Sequence, residues 1–331
     1  MPMIDFVCPR CRGALECDAD AYRCMPCRET YPIVFGIPDF RVEPDPWIGL
    51  EEDRDKARRL LEITEGRDLA ASVDAYWAMT PGTPPEYARR FTQYVLGGER
   101  RSAEWLDSIG TARASSDAPW LEIGSASGDM IAACAARGIH AVGVDVAMRW
   151  LVLARKRPAL HGAAHTLVCA NGEFLPFRDR SFSRVISVGT LEHCRRAEDV
   201  LSESARVLCS GGDAVIRTTN RFTLLPEPHV NLWGVGFLPR SWADHYVRWR
   251  GGQGYLHHRV LSARELFRGL RRAGFSARRV VPAPLLPSDH ARLGNAGRAA
   301  SPLYEWARAA PALPAIMRWV APLLEARGRK V

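Results

Sequence analysis

Four cysteines, Cys8, Cys11, Cys24 and Cys27, form two CxxC pairs with twelve residues between them. Each pair turns tightly enough to aim two thiolates at one point, and four thiolates close a tetrahedral shell around zinc with no open position. Such a site is expected to be structural, because the metal supplies folding free energy that a unit of roughly forty residues cannot draw from its own core. A redox or disulfide role is the weaker alternative, and Cys17 lies outside the spacing. The full set of nine cysteines is odd in number, which favours a reducing cytoplasm over a disulfide framework.

A second stretch that could do chemistry runs from Trp120 to Asp129, Trp-Leu-Glu-Ile-Gly-Ser-Ala-Ser-Gly-Asp. It reads as a buried strand, a glycine-rich turn and then a helix through Met130–Ala136. Glycine lets the backbone approach a ligand and turn sharply, and the helix start offers unpaired N–H groups. About 20 residues further on, the strand His140–Asp145 ends in an acid placed to accept hydrogen bonds from a ribose diol. Asp129 stands where a GxGxxG fingerprint would need its last glycine, and an acid at a helix start repels a pyrophosphate. That argues against a nicotinamide dehydrogenase.

The elements that must position these residues alternate strand and helix, as a parallel sheet covered on both faces requires. Leu167–Phe177 contains "GEFLPF", Ser181–Ser187 reads "SFSRVIS", and "LEH" follows at Leu191–His193. With these motifs in this order, residues 118–282 resemble class I S-adenosylmethionine-dependent methyltransferases of the group related to quinone and small-molecule methylases. The fold implied is α/β, a Rossmann-like sheet with helices on both faces. Residues 8–40 resemble the small zinc ribbons related to the Trm112 family, "YPIVFGIPDF" being the most specific stretch. The organisation expected is therefore a ribbon over 1–42 and a linker with a helical lid over 43–117. The S-adenosylmethionine-binding domain spans 118–282, with a substrate insert at 220–258, and a helical extension covers 283–331.

The methyltransferase resemblance implies that Glu122, Gly124, Ser125 and Gly128 shape the pocket for the methionine part of the cofactor. Asp145 would bind its ribose, Asn171 and Gly172 would meet the adenine edge, and Gly189, Thr190 and Leu191 would lie near the sulfonium. Ala126 replaces a family glycine, which is tolerable at negative φ. Asn171 replaces a common Asp, and its side-chain carbonyl would still accept from the adenine amino group. Ser183 replaces another Asp and is read as a surface change.

The charged run Glu51–Lys56 reads as a linker or solvated helix face, and the aromatics Tyr76, Trp77, Tyr87, Phe91 and Tyr94 as packing residues or a lid. The Pro-, Gly- and aromatic-rich stretch 220–239 interrupts the alternation after the strand Gly212–Thr219, where the substrate side is expected. His193, His229, Trp233 and His257 are candidate acceptor contacts, with His245, Tyr246 and His258 close behind. No acid–base pair is evident, and methyl transfer from a sulfonium requires a general base only when the acceptor atom is protonated. Ser262–Glu265 is a capping box that starts a helix to Arg272, before a strand from Ser276 to Pro282. That strand has no evident hairpin partner, and Ala315–Glu325 reads as an amphipathic helix.

The net charge is +8, yet only three of the 45 basic residues are lysines. Residues 240–331 carry +12 and the remainder −4. Any anionic contact, including peripheral contact with lipid, is thus expected from the C-terminal third. No stretch reaches the length of a membrane span, and the N-terminus lacks a signal-peptide pattern. The leading reading is methyl transfer to a small-molecule acceptor such as a sugar, glycolipid or secondary-metabolite intermediate. An RNA base methyltransferase is the runner-up, and a non-enzymatic partner-binding protein with a vestigial cofactor site is third. No pattern fixes an oligomeric state.

Overall fold

A computed structural model describes residues 4–110, 118–160, 166–252, 254–276 and 278–331. The chain divides into two compact units, Met1–Ser183 and Arg184–Val331.

The first unit opens with an antiparallel ribbon, β1 (Leu15–Cys17), β2 (Ala21–Cys24), β3 (Thr30–Val34) and β4 (Ile37–Pro38), in that order. Four helices follow, α1 (Leu50–Ile63), α2 (Leu69–Ala78), α3 (Pro85–Leu96) and α4 (Gly98–Ile109). Asp68 caps α2 by accepting the Ala71 N–H at 2.8 Å, and Pro85 takes the first position of α3, where no N–H is needed. The alternating part then begins with β5 (Trp120–Ile123), α5 (Asp129–Ala135), β6 (Ala141–Asp145), α6 (Met148–Ala154) and β7 (Thr166–Cys169). β5, β6 and β7 are parallel, with Trp120 opposite Ala141 and Val142 opposite Thr166. Every residue of β5 is buried, the signature of a parallel strand covered on both faces.

Neither the ribbon nor the helices before β5 stand apart from this sheet. Phe6, Tyr22, Tyr31 and Phe40 form a ring cluster with centroids 5.0–5.3 Å apart, and Phe6 reaches Phe177 at 5.8 Å. On leaving the ribbon, Asp39 bridges Cys169 in parallel and the Phe40 N–H donates to the Cys169 carbonyl at 2.7 Å. This pairing covers the edge of β7, which would otherwise template association. Leu60, Val73 and Tyr76 pack on Met148 and Leu151 of α6. Tyr76 and Phe91 lie 4.6 and 5.4 Å from Trp150. Tyr76 is buried and Trp77 and Phe91 are half-buried in this packing, while Tyr87 and Tyr94 are exposed.

The boundary with the second unit falls inside β8 (Phe182–Val188). Then come α7 (Ala197–Val207), β9 (Leu208–Thr219), α8 (Arg240–Trp249), α9 (Ala263–Arg272), β10 (Arg278–Pro282), α10 (Pro287–Arg292), α11 (Asn295–Ala309), α12 (Leu313–Met317) and β11 (Leu323–Arg329). The strand order is β10-β11-β9-β8. The expected capping box is formed, with Ser262 Oγ accepting the Glu265 N–H and Glu265 Oε2 accepting the Ser262 N–H.

One expectation fails here. Residues 315–325 are not one amphipathic helix, nor is 283–331 wholly helical. α12 stops at Met317, and β11 pairs antiparallel with both β9 and β10, Leu323 opposite Thr219 and Ala326 opposite Val280. Pro322 cannot continue a helix, and two strand edges offer the backbone a complete ladder that outweighs helical periodicity. β11 is the hairpin partner that β10 lacked in the sequence. Among the described residues, no helix is long and apolar enough to cross a membrane.

Candidate functional site

The glycine turn after β5 is held from below by backbone. The N–H groups of Gly124 and Ser125 both donate to the Val144 carbonyl, at 2.8 and 2.9 Å, and Gly128 N–H donates to the Ser125 carbonyl at 2.7 Å. Gly124 and Gly128 have φ of +86° and +70°. A Cβ on Gly128 would stand 2.8 Å from the Ala154 Cβ, so glycine is needed there for room as well as for φ. Arg157, missed in the sequence, clamps the turn through Nε to the Ser127 carbonyl at 2.6 Å and Nη2 to the Val95 carbonyl at 2.9 Å. Ala126 departs from expectation: its φ is +40°, in the left-handed region, because its N–H is turned to donate to Asp145 Oδ2 at 2.8 Å. An L-residue there bears strain, so Ala126→Gly should stabilise the protein by about 1 kcal/mol after the entropic cost of glycine. A thermal midpoint unchanged or lowered in the variant would contradict that.

Acids gather under this turn. Glu122 is buried, and neither its Oε2 nor Ser125 Oγ has a hydrogen-bond partner. Burial, with the neighbouring charges of Asp129 and Asp145, pushes the Glu122 carboxyl well above its ordinary range. Orphaned polar atoms of this kind fit a ligand that brings its own donors, above all a cationic one. Burial also pushes Asp145 up to about 6, although its two oxygens accept the N–H groups of Ala126 and Ala147, each at 2.8 Å. Asp129 opens α5 and accepts from Ser102 Oγ at 2.9 Å, which leaves an anion where a pyrophosphate would have to sit.

Three further expectations need correction. The Asn171 carbonyl does not stand free for an adenine amino group. It accepts the N–H groups of Val42 and Glu43 at 2.9 and 3.1 Å, while Nδ2 donates to the Glu43 carbonyl at 3.0 Å. Both lone pairs are used in anchoring the segment that enters α1. Gly172 beside it is half-buried. The run Glu51–Lys56 is not simply a solvated face either, since Asp53 is fully buried. Its carboxylate accepts from Arg41 Nη1 and Arg149 Nη1, each at 2.7 Å, and from the Met148 N–H at 2.8 Å. Asp39 and Asp45 complete the network on Arg41 and Arg149. A carboxylate in a charged run leaves no sequence signal of such burial. Ser183 is likewise buried, its hydroxyl donating to the Ala118 carbonyl at 2.6 Å, so it is no surface change.

In the second unit β8 is followed by Gly189, with φ of +64° and open space where a Cβ would point. The Thr190 hydroxyl turns back to the Val188 carbonyl, and Leu191 is buried. Glu192 is buried and architectural: Oε2 accepts the Thr218 hydroxyl at 2.6 Å. His193 meets His229 and His258, ring centroids 4.8 and 5.1 Å away, and His229 stacks on His258 at 4.5 Å. His258 rather than the exposed His257 is thus the member that joins the other two. Glu227 binds His229 Nδ1 and accepts the His229 and Val230 N–H groups at 2.9 and 3.1 Å. Burial, then the charges of His229 and His193, pulls His258 down to about 3, so it is neutral at ordinary pH. Trp233 is exposed and donates from Nε1 to the Leu224 carbonyl.

The four cysteines of the ribbon come together as their spacing requires. Their sulfurs lie within 4.8 Å of one another, with Cys8–Cys27 and Cys11–Cys24 at 3.4 Å and Cys24–Cys27 at 3.2 Å. Each pair is followed by a left-handed residue, Arg12 at φ +63° and Arg28 at φ +58°. The Tyr31 hydroxyl lies 3.3 Å from Cys8 Sγ and can donate to a thiolate there. The set is compatible with structural zinc, tetrahedral S₄ geometry being diagnostic of zinc or iron–sulfur sites.

The turn, the strand-end acid and the alternating sheet match a Rossmann-like methyltransferase fold. Residues 121–216 match the family described as methyltransferase domain, whose cofactor is S-adenosylmethionine. The orphaned Glu122 and Ser125 beside a glycine cradle fit that cofactor, which offers an ammonium and no phosphate. The biotin biosynthesis bifunctional protein BioHC of Cellvibrio japonicus is 34% identical over 129 residues, 38% of this chain and 23% of that protein. An uncharacterised protein of Mycobacterium tuberculosis is 28% identical over 258 residues, 71% of this chain and 78% of that one. Demethylmenaquinone methyltransferase of Tropheryma whipplei is 30% identical over 120 residues, 36% of this chain and 49% of the enzyme. The chain thus spans less than half the length of the first and third of these.

Proposed function

We propose that this protein transfers the methyl group of S-adenosylmethionine to a small-molecule acceptor. The observation that carries the reading is the glycine turn of the matched domain, with two buried polar atoms left for a ligand to satisfy. Glu122, Gly124, Ser125 and Gly128 hold the methionine end, with Glu122 taking the ammonium, and Asp145 takes the ribose. Gly172 lies on the adenine side, where Asn171 acts by fixing the backbone, and Gly189, Thr190 and Leu191 line the sulfonium region. The cofactor supplies an electrophilic methyl group, and the chain's task is alignment and exclusion of water. The insert 220–258, which has its own small core of Val235, Ala243, Val247 and Tyr255, supplies the acceptor side. Two of the relatives above are named for small-molecule pathways, biotin and menaquinone, which supports this acceptor class over RNA. We assign the N-terminal module to the Trm112-like ribbons, with zinc as a structural metal, and the protein to the cytoplasm.

Calorimetry with S-adenosylmethionine should give one binding event per chain; no heat at saturating cofactor would remove the reading. Glu122→Gln should weaken binding by about 10–100-fold, the worth of a charged hydrogen bond. Affinity should also fall as pH drops below about 6, because a protonated Asp145 accepts less well from the ribose. The ligand-free fold should respond in the opposite sense. An acid whose folded pKa is raised binds its proton more readily when folded, so this term favours the fold as pH falls from 6 towards 4. Asp145→Asn should flatten both slopes, and slopes unchanged in that variant would exclude Asp145 as their source. Transfer of labelled methyl to small-molecule extracts is expected, and label in total RNA instead would overturn the acceptor class.

A further inference from the structure

We propose that His193, His229 and His258 hold a divalent transition-metal ion of the zinc class, distinct from the cysteine site of the ribbon. The three histidines come from separate segments: the turn after β8, the loop after β9 and the loop before α9. Their ligand nitrogens nevertheless lie within 4.8 Å of one another. Zinc–nitrogen bonds of about 2.0–2.1 Å in a tetrahedron set the nitrogens roughly 3.4 Å apart, so side-chain shifts on the order of 1 Å close the site. Imidazole donors select zinc, cobalt, nickel or copper over magnesium and calcium, which take oxygen.

A second observation points the same way. Glu227 is buried and held by two backbone N–H groups and by the Tyr255 hydroxyl, and it engages His229 Nδ1. A carboxylate behind a histidine fixes its tautomer and turns Nε2 towards the metal, the arrangement found around metal-ligating histidines generally. Imidazoles bind a metal in their neutral form, so three of them leave it its full charge and one position open. Resting on the acceptor reading of the insert, that open position would take a hydroxyl oxygen of the acceptor. The bound hydroxyl loses its proton to solvent more readily, the oxygen takes the methyl group, and the S–CH₃ bond breaks to leave S-adenosylhomocysteine. The acceptor class is therefore a hydroxylated small molecule, methylated on oxygen without a protein base.

The test is a cobalt(II) titration of the metal-stripped full chain, followed by visible spectroscopy and metal content. Two ions per chain are expected: one with intense thiolate charge-transfer bands from the cysteines, one with only weak d–d bands. His258→Ala and His193→Ala should lose the second ion and keep the thiolate bands, which also report that the ribbon is intact. Glu227→Gln should keep the site but weaken it by about 10–100-fold. A wild-type chain that takes up one ion only, or histidine variants that still take up two, would overturn the metal site. O-methylation that is equally fast in His193→Ala would overturn the acceptor role alone. A second ion bound without any methyl transfer would support the site and remove the functional reading on which the acceptor role rests.

Discussion

Asp53→Ala should destabilise the first unit by about 3–5 kcal/mol, because it leaves buried charge without its partner. Asp53 is the node at which Arg41 and Arg149 meet, each guanidinium donating to one of its oxygens at 2.7 Å, and all three side chains are at most 10% exposed. Removing it strands two cations, and Asp39 and Asp45 each neutralise only part of the remainder. The Met148 N–H also loses its acceptor at the start of α6, the helix on which the segment before β5 packs. Asp55→Ala, two residues along the same helix, removes an exposed pair with Arg58 and should change stability by less than about 0.5 kcal/mol. Denaturant unfolding of the pair reads the contrast. Equal midpoints would show that the network is not the anchor its geometry implies.

Cys24→Ala should abolish the ribbon's metal and, with it, the ribbon's structure. Apparent zinc binding to small structural sites contributes on the order of 10 kcal/mol, far more than β1–β4 can draw from their own packing. Cys24 is almost fully buried, so alanine cannot be bypassed by water from outside. Loss of one zinc atom per chain should be accompanied by rapid proteolysis within residues 8–40 and by exposure of Phe6 and Phe40. A metal-free variant whose ribbon stays protected would show that the aromatic cluster suffices without zinc.

The parts of the site legible in the sequence are those where one residue type answers one physical need. Glycine at φ +70°, thiolates in pairs and an acid at a strand end have few substitutes, so their spacing announces them. What the sequence concealed depends on partners far along the chain. Asp53 looks like its neighbours in a charged run until Arg41 and Arg149 enclose it. Asn171 is an amide like any other until Val42 and Glu43 present their N–H groups. The fold was legible from the strand–helix alternation through β5 to β9, but β11 was not. Its Leu-Leu-Glu-Ala-Arg-Gly-Arg has no strand propensity to speak of, and β9 and β10 impose the conformation. His257 and His258 could not be told apart without knowing which one turns towards His193 and His229.

β11 also sets a schedule for the second unit. Thr219 and Leu323 are neighbours across the ladder although about one hundred residues separate them, so their meeting demands a large loop closure. Until it happens, β9 and β10 each carry a bare edge, and β9 is twelve residues long and buried throughout from Ala214 to Thr219. The nascent or refolding chain therefore passes through a stage in which strand exchange between two copies competes with insertion of its own β11. Low protein concentration and slow synthesis should raise the soluble yield, and a lesion in β11 should appear first as inclusion bodies and only later as lost catalysis.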